Sequence, residues 1–162
     1  MSQHAYVSGS ELITRILSKE WVYAGVLSNA AFTLRPGETY ISVNRPSVST
    51  YYSDVSDFIK KHPSFSLDAN CTKCRCAALR VAEVRSVRVN EEIVPYRIDV
   101  EIEPRDLFTK SHAGIFTRLG NRNIKAGDTL SVMDKDISAD DILIEVRMQL
   151  TRLSIIDDIT IE

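Results

Sequence analysis

The chain has 162 residues, of which 44% are hydrophobic and 26% charged, and its formal net charge is −2. This length suits a single globular domain, 1–162, with one sizeable core, and the composition excludes a chain that is disordered throughout. No apolar run is long enough to span a bilayer, and the start of the chain lacks the basic and apolar regions of a secretory signal. We therefore expect a soluble cytoplasmic protein without a membrane partner. The negative net charge disfavours a nucleic-acid partner, because such proteins usually carry a strong positive field.

A helix is predicted near the start of the chain. Ser8 and Glu11 have the spacing of a capping box, in which each side chain binds a free backbone N–H of the other residue. The apolar residues of segment 12–17 then recur at a spacing that forms one helical stripe. The first element should therefore be an amphipathic helix.

A turn, a strand and a second helix are predicted next. Pro36 and Gly37 are residues that tight turns favour. Segment 39–43 is rich in β-branched and aromatic residues, which indicates a strand. A helix beginning near Ser49 should end at His62, because a proline disfavours helical geometry in the residue before it.

The second half of the sequence favours extended structure. Segment 76–89 has apolar alternation that shifts between Val81 and Val84, which indicates a strand with a bulge. Segment 96–103 alternates strictly between apolar and charged residues, as a strand with one buried face does. The remaining predictions are a short strand at 112–116 and turns at 120–123 and 125–128.

The C-terminal segment is ambiguous. Ile142, Val146 and Leu150 fit one face of a helix, but alternate residues from Ile142 to Leu150 are also apolar, as in a strand. Their β-branched content favours the strand. The chain is therefore predicted to be an α+β domain, with a mainly antiparallel or mixed sheet packed on one side by two or three helices.

Three cysteines form the most distinctive local pattern, Cys71-x-x-Cys74-x-Cys76. This spacing permits a zinc site in which the three thiolates bind one metal, with His62, Asp68 or His112 as a fourth ligand. The chain has no second pair of cysteines with this spacing, and Cys76 opens an apolar run. Ordinary free thiols are therefore the favoured interpretation, with zinc and a redox pair as alternatives.

Two polar positions stand out as candidates for a ligand-binding site. Arg45 follows the strand predicted at 39–43 and precedes a proline, so its guanidinium could hold a phosphate or carboxylate. Ser42 lies on the same strand. His112 is followed by small residues that permit the close approach of a ligand, and it is the candidate general acid or base.

The segments Ile41-Ser42-Val43-Asn44-Arg45 and His112-Ala113-Gly114-Ile115 resemble those of small uncharacterised bacterial proteins that pair an "ISVxR" segment with a later "HAxI". That family carries no activity to transfer. The resemblance implies only that Arg45 and His112 share a site.

Two functions remain open. The first, which we favour, is a binding or accessory domain whose partner is another protein or a small anionic ligand. The alternative is a small enzyme or toxin-like domain that acts on a nucleotide or phosphoester through Arg45 and His112. The sequence carries no phosphate-binding loop, dinucleotide fingerprint or hydrolase elbow, and the lack of these signatures favours binding.

Overall fold

A computed structural model of the chain describes residues 7–89, 98–105 and 109–161. Its main sheet is antiparallel throughout and has the strand order β11-β5-β1-β4-β7-β6, with β8 pairing β7. Two small hairpins, β2–β3 and β9–β10, lie outside this sheet. The strands are β1 (Leu12–Ile16), β2 (Val22–Tyr23), β3 (Val26–Leu27), β4 (Tyr40–Asn44), β5 (Lys73–Arg80), β6 (Ile98–Pro104), β7 (His112–Leu119), β8 (Arg122–Asn123), β9 (Thr129–Val132), β10 (Lys135–Ser138) and β11 (Ile155–Thr160).

The described helices pack on both faces of the sheet. They are α1 (Tyr51–Lys61), α2 (Val81–Arg85) and α3 (Ala139–Leu153), with 3₁₀ turns at Lys19–Trp21, Asn29–Phe32 and Pro63–Phe65. Ile13 of β1 belongs to the core cluster that includes α2 and α3. The next residue, Thr14, hydrogen-bonds Tyr51 of α1 at 2.8 Å. Since successive strand residues point to opposite faces, α1 and α3 lie on opposite sides of the sheet. The α+β prediction is confirmed, but the expectation of helices on one side is wrong.

The helix predicted at the start of the chain is wrong, because segment 12–16 is the strand β1. The capping turn does form: the Ser8 backbone N–H donates to Glu11 Oε2 at 2.9 Å, and the Glu11 N–H donates to the Ser8 carbonyl. The chain then continues extended, with Ile13 and Thr14 buried on opposite faces between β4 and β5. The local helix pattern is overridden by burial in the middle of a sheet.

The extended prediction for segment 76–89 is correct only in its first part. Strand β5 ends at Arg80, and α2 follows at once. Val81 and Val84 are both buried. Their spacing of three is that of one helical face, so the predicted bulge in a strand is wrong.

The C-terminal strand prediction is also wrong, since α3 covers this segment. Ile142, Val146 and Leu150 are buried on the helix face that meets the core. Ile144 and Met148, whose positions suggested strand alternation, are 41% and 37% exposed. Strand β11, which follows α3 and pairs with β5, was not predicted.

The other predictions are confirmed where the structure describes them. The turn at Pro36-Gly37 forms with a positive φ of 89° at Gly37. Strands β4, β6 and β7 and helix α1 match their predicted segments, with Lys61 as the last helical residue before Pro63. Tyr96 and Arg97, the predicted start of β6, lie outside the described residues.

Candidate functional site

Ser42 and His112 line the same cleft, which has a volume of about 400 Å³. Strands β4 and β7 are antiparallel neighbours, with Asn44 opposite His112 and Ser42 opposite Gly114. Ile41 and Val43 point into the core beneath α3. The alternate residues Ser42 and Asn44 therefore face the other side, where α1 lies.

The cleft forms where strands β1 and β4 separate. Their register contains one pair, Thr14 opposite Asn44. Beyond this pair, Arg15 lies across the gap between the two strands. Its Nη1 donates to the Ser42 carbonyl at 2.7 Å, and its Nε donates to the Ala31 carbonyl at 2.6 Å. Arg15 thus holds together two segments that the sheet does not connect by backbone hydrogen bonds at this point.

Arg15 is a half-buried cation. Among the described residues, no carboxylate lies within ion-pair distance of its guanidinium. Burial lowers the pKa of Arg15 to about 10, and the charge of Glu38 acts in the opposite direction. The side chain therefore stays protonated at neutral pH, and its donors beyond the two used by carbonyls are suited to an anion.

Aromatic rings form the apolar wall of the cleft. Trp21 and Phe65 meet edge to face with centroids 5.9 Å apart, and Phe58 meets Phe65 in the same manner at 5.1 Å. The Arg15 guanidinium carbon lies 5.4 Å from the Trp21 ring centroid, at cation–π distance. Helix α1 supplies Phe58, and the 3₁₀ turns supply the other two rings.

A hydrogen-bonded network lies on the opposite, polar side of the cleft. Asn44 Nδ2 donates to Ser111 Oγ at 3.0 Å, and the Ser111 N–H donates to Asp54 Oδ2 at 3.1 Å. Burial alone would raise the pKa of Asp54, but hydrogen bonds from Ser111 and Thr50 outweigh it and hold the pKa below its ordinary value. The Asp54 carboxylate is therefore ionised and already bound by its neighbours.

His112 completes the polar side. Burial lowers its pKa, and the charge of Arg105 lowers it further, against a hydrogen bond with the Arg105 backbone. The ring lies 6.1 Å from that of Tyr40. At neutral pH it is uncharged, and with one ring nitrogen bonded to the Arg105 backbone the other is left to accept a hydrogen bond.

Arg45 is engaged elsewhere. Its Nε and Nη2 each donate to the Glu11 carboxylate at 3.1 Å, and Ser47 Oγ donates to the same carboxylate at 2.5 Å. Burial would raise the pKa of Glu11, but these bonds and that from Ser8 lower it. Arg45 is not among the residues that line the cleft. The structure therefore brings Ser42 and His112 together and ties Arg45 to the start of β1.

The three cysteines differ in burial and do not all lie in the same element. Cys71 lies half-buried in a loop, whereas Cys74 and Cys76 are buried on one face of β5. Burial, aided by nearby acidic charge, raises the pKa of Cys74 to about 11 and that of Cys76 to about 12. Metals and electrophiles bind the thiolate form, which is scarce at such pKa values. Within the residues that the structure describes, no group of three His, Cys, Asp or Glu is placed to hold a metal ion. The geometry gives the zinc hypothesis no support.

The residues that sequence reasoning missed are Arg15 and the aromatic wall. Arg15 fell within the predicted helix, where it would be one more solvated charge. The one available indication was its position between Thr14 and Ile16, both β-branched, which is unusual for a surface charge on a helix. Trp21 and Phe65 lie 44 positions apart and gave no indication of contact.

Comparisons with protein-family models, with curated proteins and with solved structures each find no match to this chain. Among the described residues, no helix combines the length and the apolar character needed to cross a membrane.

Proposed function

We propose that this protein is a binding module for a small anionic molecule that carries a planar ring. The observation that carries the proposal is Arg15, a half-buried guanidinium that lies beside the Trp21 ring and has no ion-pair partner among the described residues. Ligand pockets usually combine apolar walls with a few well-placed polar groups. The anion would bind Arg15, and the ring would lie against Trp21, Phe58 and Phe65.

The neighbouring charges limit what the ligand can be. Glu38 lies close enough to influence Arg15, but its Oε1 accepts a hydrogen bond from the Arg35 backbone at 2.6 Å. Asp54 lines the cleft and is bound by Ser111. The two carboxylates offset the two arginines that line the cleft, Arg15 and Arg35. A singly charged anion is therefore the better fit, with His112 and Asn44 as hydrogen-bonding partners for its remaining polar atoms.

The alternative, an enzyme that acts on a nucleotide or phosphoester through Arg45 and His112, has less support. It requires Arg45 to bind the phosphate, and this guanidinium is occupied by Glu11. His112 is uncharged at neutral pH, and among the described residues no serine, threonine or cysteine side chain hydrogen-bonds its ring. The binding role needs neither of these features.

The test uses Trp21, the only tryptophan in the chain, as a reporter inside the cleft. Its fluorescence is followed while three matched probes are added: benzenesulfonate, methanesulfonate and benzenesulfonamide. The first has both ring and charge, the second only the charge and the third only the ring. With about ten non-hydrogen atoms contributing roughly 0.4 kcal/mol each, benzenesulfonate should bind with a dissociation constant on the order of 1 mM, and the other two at least several-fold more weakly.

Substitutions of single residues test whether Arg15 is the cation that binds the anionic group of the probe. Replacing Arg15 by Met should weaken benzenesulfonate binding about tenfold or more, because a hydrogen bond to a charged group contributes about 1.5–3 kcal/mol. The change Arg122→Met removes the same charge from an exposed hairpin and should have no effect. Ser42→Phe, at an exposed strand position on the cleft, should block binding without removing a buried contact. Equal binding of the three probes, or dependence on Arg45 instead of Arg15, would contradict the proposal.

A further inference from the structure

A second cavity of about 300 Å³ lies on the opposite face of the same strands, between the sheet and α3. Ile41 of β4 and Ile115 of β7 form its floor, and Leu143 and Val146 of α3 form one side. Phe32, from a 3₁₀ turn, closes another side. The cavity is at the lower end of the size range of small-molecule sites, and most of its lining is apolar.

One cation lies in this apolar lining. Arg147 of α3 donates from Nη1 to Thr33 Oγ1 at 3.1 Å. Its Nε is buried, and none of the described residues accepts a hydrogen bond from it. A buried donor without an acceptor costs free energy, typically about 1–3 kcal/mol. Arg147 lines the cavity, so a carboxylate bound there would place an anion beside this guanidinium, and a small movement of the side chain would let Nε donate to it.

The opposite end of the cavity carries an acidic group that is already bound. Asp140 Oδ1 accepts a hydrogen bond from the Gly127 N–H at 3.0 Å. Asp140 and Arg147 are seven residues apart on α3, which places them about 10 Å apart along the helix axis. The charges therefore define the orientation of a ligand. Its anionic group would lie at the Arg147 end, and its uncharged apolar body would extend along the cavity.

We infer that this cavity is a second ligand site, for a small carboxylate with an apolar body, such as a short-chain or aromatic acid. The cavity combines an apolar floor with Arg147, whereas the cleft combines an aromatic wall with Arg15. The two sites share no lining residue. Each can therefore be tested without the other.

The test uses the full chain with isotope-labelled isoleucine methyl groups and the probe hexanoate. Ile41 and Ile115 report on the cavity, whereas Ile16 reports on the cleft. Hexanoate should shift the Ile41 and Ile115 methyl resonances in a saturable manner and leave Ile16 unchanged. Hexan-1-ol, which has the same apolar chain without the carboxylate, should bind at least fivefold more weakly.

Substitutions of single residues distinguish binding at Arg147 in this cavity from non-specific binding of hexanoate. Arg147→Met should weaken hexanoate binding at least fivefold, while Arg152→Met, an exposed arginine on the same helix, should leave it unchanged. Leu143→Phe, which fills the cavity from a half-buried position, should prevent binding even if Arg147→Met does not fold. The inference is overturned if hexanoate shifts Ile16 instead, if hexan-1-ol binds equally well, or if both the Arg147 and Leu143 variants bind as the unmodified chain does.

Discussion

Gly114 lets the aromatic rings of Tyr40 and Phe116 lie close to the backbone of β7 beside the cleft. A Cβ at this position would lie 2.7 Å from Tyr40 Cδ2 and 3.1 Å from Phe116 Cε2. The two rings are themselves in contact, with centroids 5.2 Å apart. Only glycine on β7 therefore lets the Tyr40 ring lie against the sheet next to His112.

Replacing Gly114 by alanine should lower the free energy of unfolding by about 1–3 kcal/mol, because the added methyl forces the rings from their positions. Urea unfolding measures this change. The matched control is Gly9→Ala, where the added Cβ would lie 3.5 Å from the Ala82 Cβ, an ordinary contact. Equal stability of the two variants would show that the Tyr40 ring is free to move away from β7.

The thiols should differ in reactivity at neutral pH. Cys71 is half-buried in a loop and should react first with iodoacetamide. Cys74 and Cys76 should react only when the protein unfolds, because they are buried and their pKa values are about 11 and 12. Peptide mass spectrometry after timed labelling measures each site. Rapid labelling of Cys74 or Cys76, or protection of all three with about one equivalent of zinc in protein purified without chelator, would contradict this account.

At the scale of elements, the Glu11 carboxylate joins the start of β1 to the end of β4. It binds Arg45 and Ser47 from the chain that leaves β4, and its pKa is held below the ordinary 4.5. A carboxyl group whose pKa is lower in the folded protein stabilises the fold above its unfolded pKa. That contribution is lost as the pH falls through the folded pKa.

Glu11→Gln should therefore lower the free energy of unfolding by about 1 kcal/mol at neutral pH. The difference from the unmodified chain should narrow as the pH falls below 4.5, because Glu11 then becomes protonated in both states. Denaturant unfolding at a series of pH values measures the difference, with Glu20→Gln on an exposed turn as the control. A difference that stays constant down to acid pH would show that the Glu11 charge has no part in stability.

The element predictions failed where local pattern and tertiary burial disagree. Segment 12–16 follows a helix-capping sequence but is buried between two strands. Helix α3 has the alternating apolar pattern of a strand, but its buried residues recur every four positions, on one face of the helix. The strand predicted at 96–103, which alternates without ambiguity, is confirmed over its described residues. Periodicity determines an element only when a single period fits the segment.

At the scale of the molecule, charges that are segregated along the sequence meet in space. The C-terminal acidic segment includes β11, which pairs with the basic strand β5. Arg75 and Asp158 form an ion pair at 2.7 Å across these strands, and it lowers the pKa of Asp158. Basic and acidic residues that are distant in sequence therefore lie side by side on these two strands, which sequence alone could not establish because strand order is set by long-range pairing.

Only part of the candidate site could be predicted from the sequence. Ser42 and His112 were identified from strand and small-residue patterns, and the antiparallel pairing of β4 with β7 brings both to the cleft. Arg15 and the aromatic wall come from elements distant in sequence, joined only by the tertiary fold. The cation proposed to bind the anion is therefore Arg15, and Arg45 has a structural contact instead.

A crystal structure of the protein with benzenesulfonate would show directly whether Arg15 binds the anion. We expect a sulfonate oxygen within hydrogen-bond distance of the Arg15 guanidinium and the ring packed against Trp21 or Phe65. The Arg45–Glu11 pair should be unchanged. A sulfonate bound at Arg45, or an unoccupied cleft at a probe concentration well above 1 mM, the affinity expected for about ten atoms, would contradict the proposal.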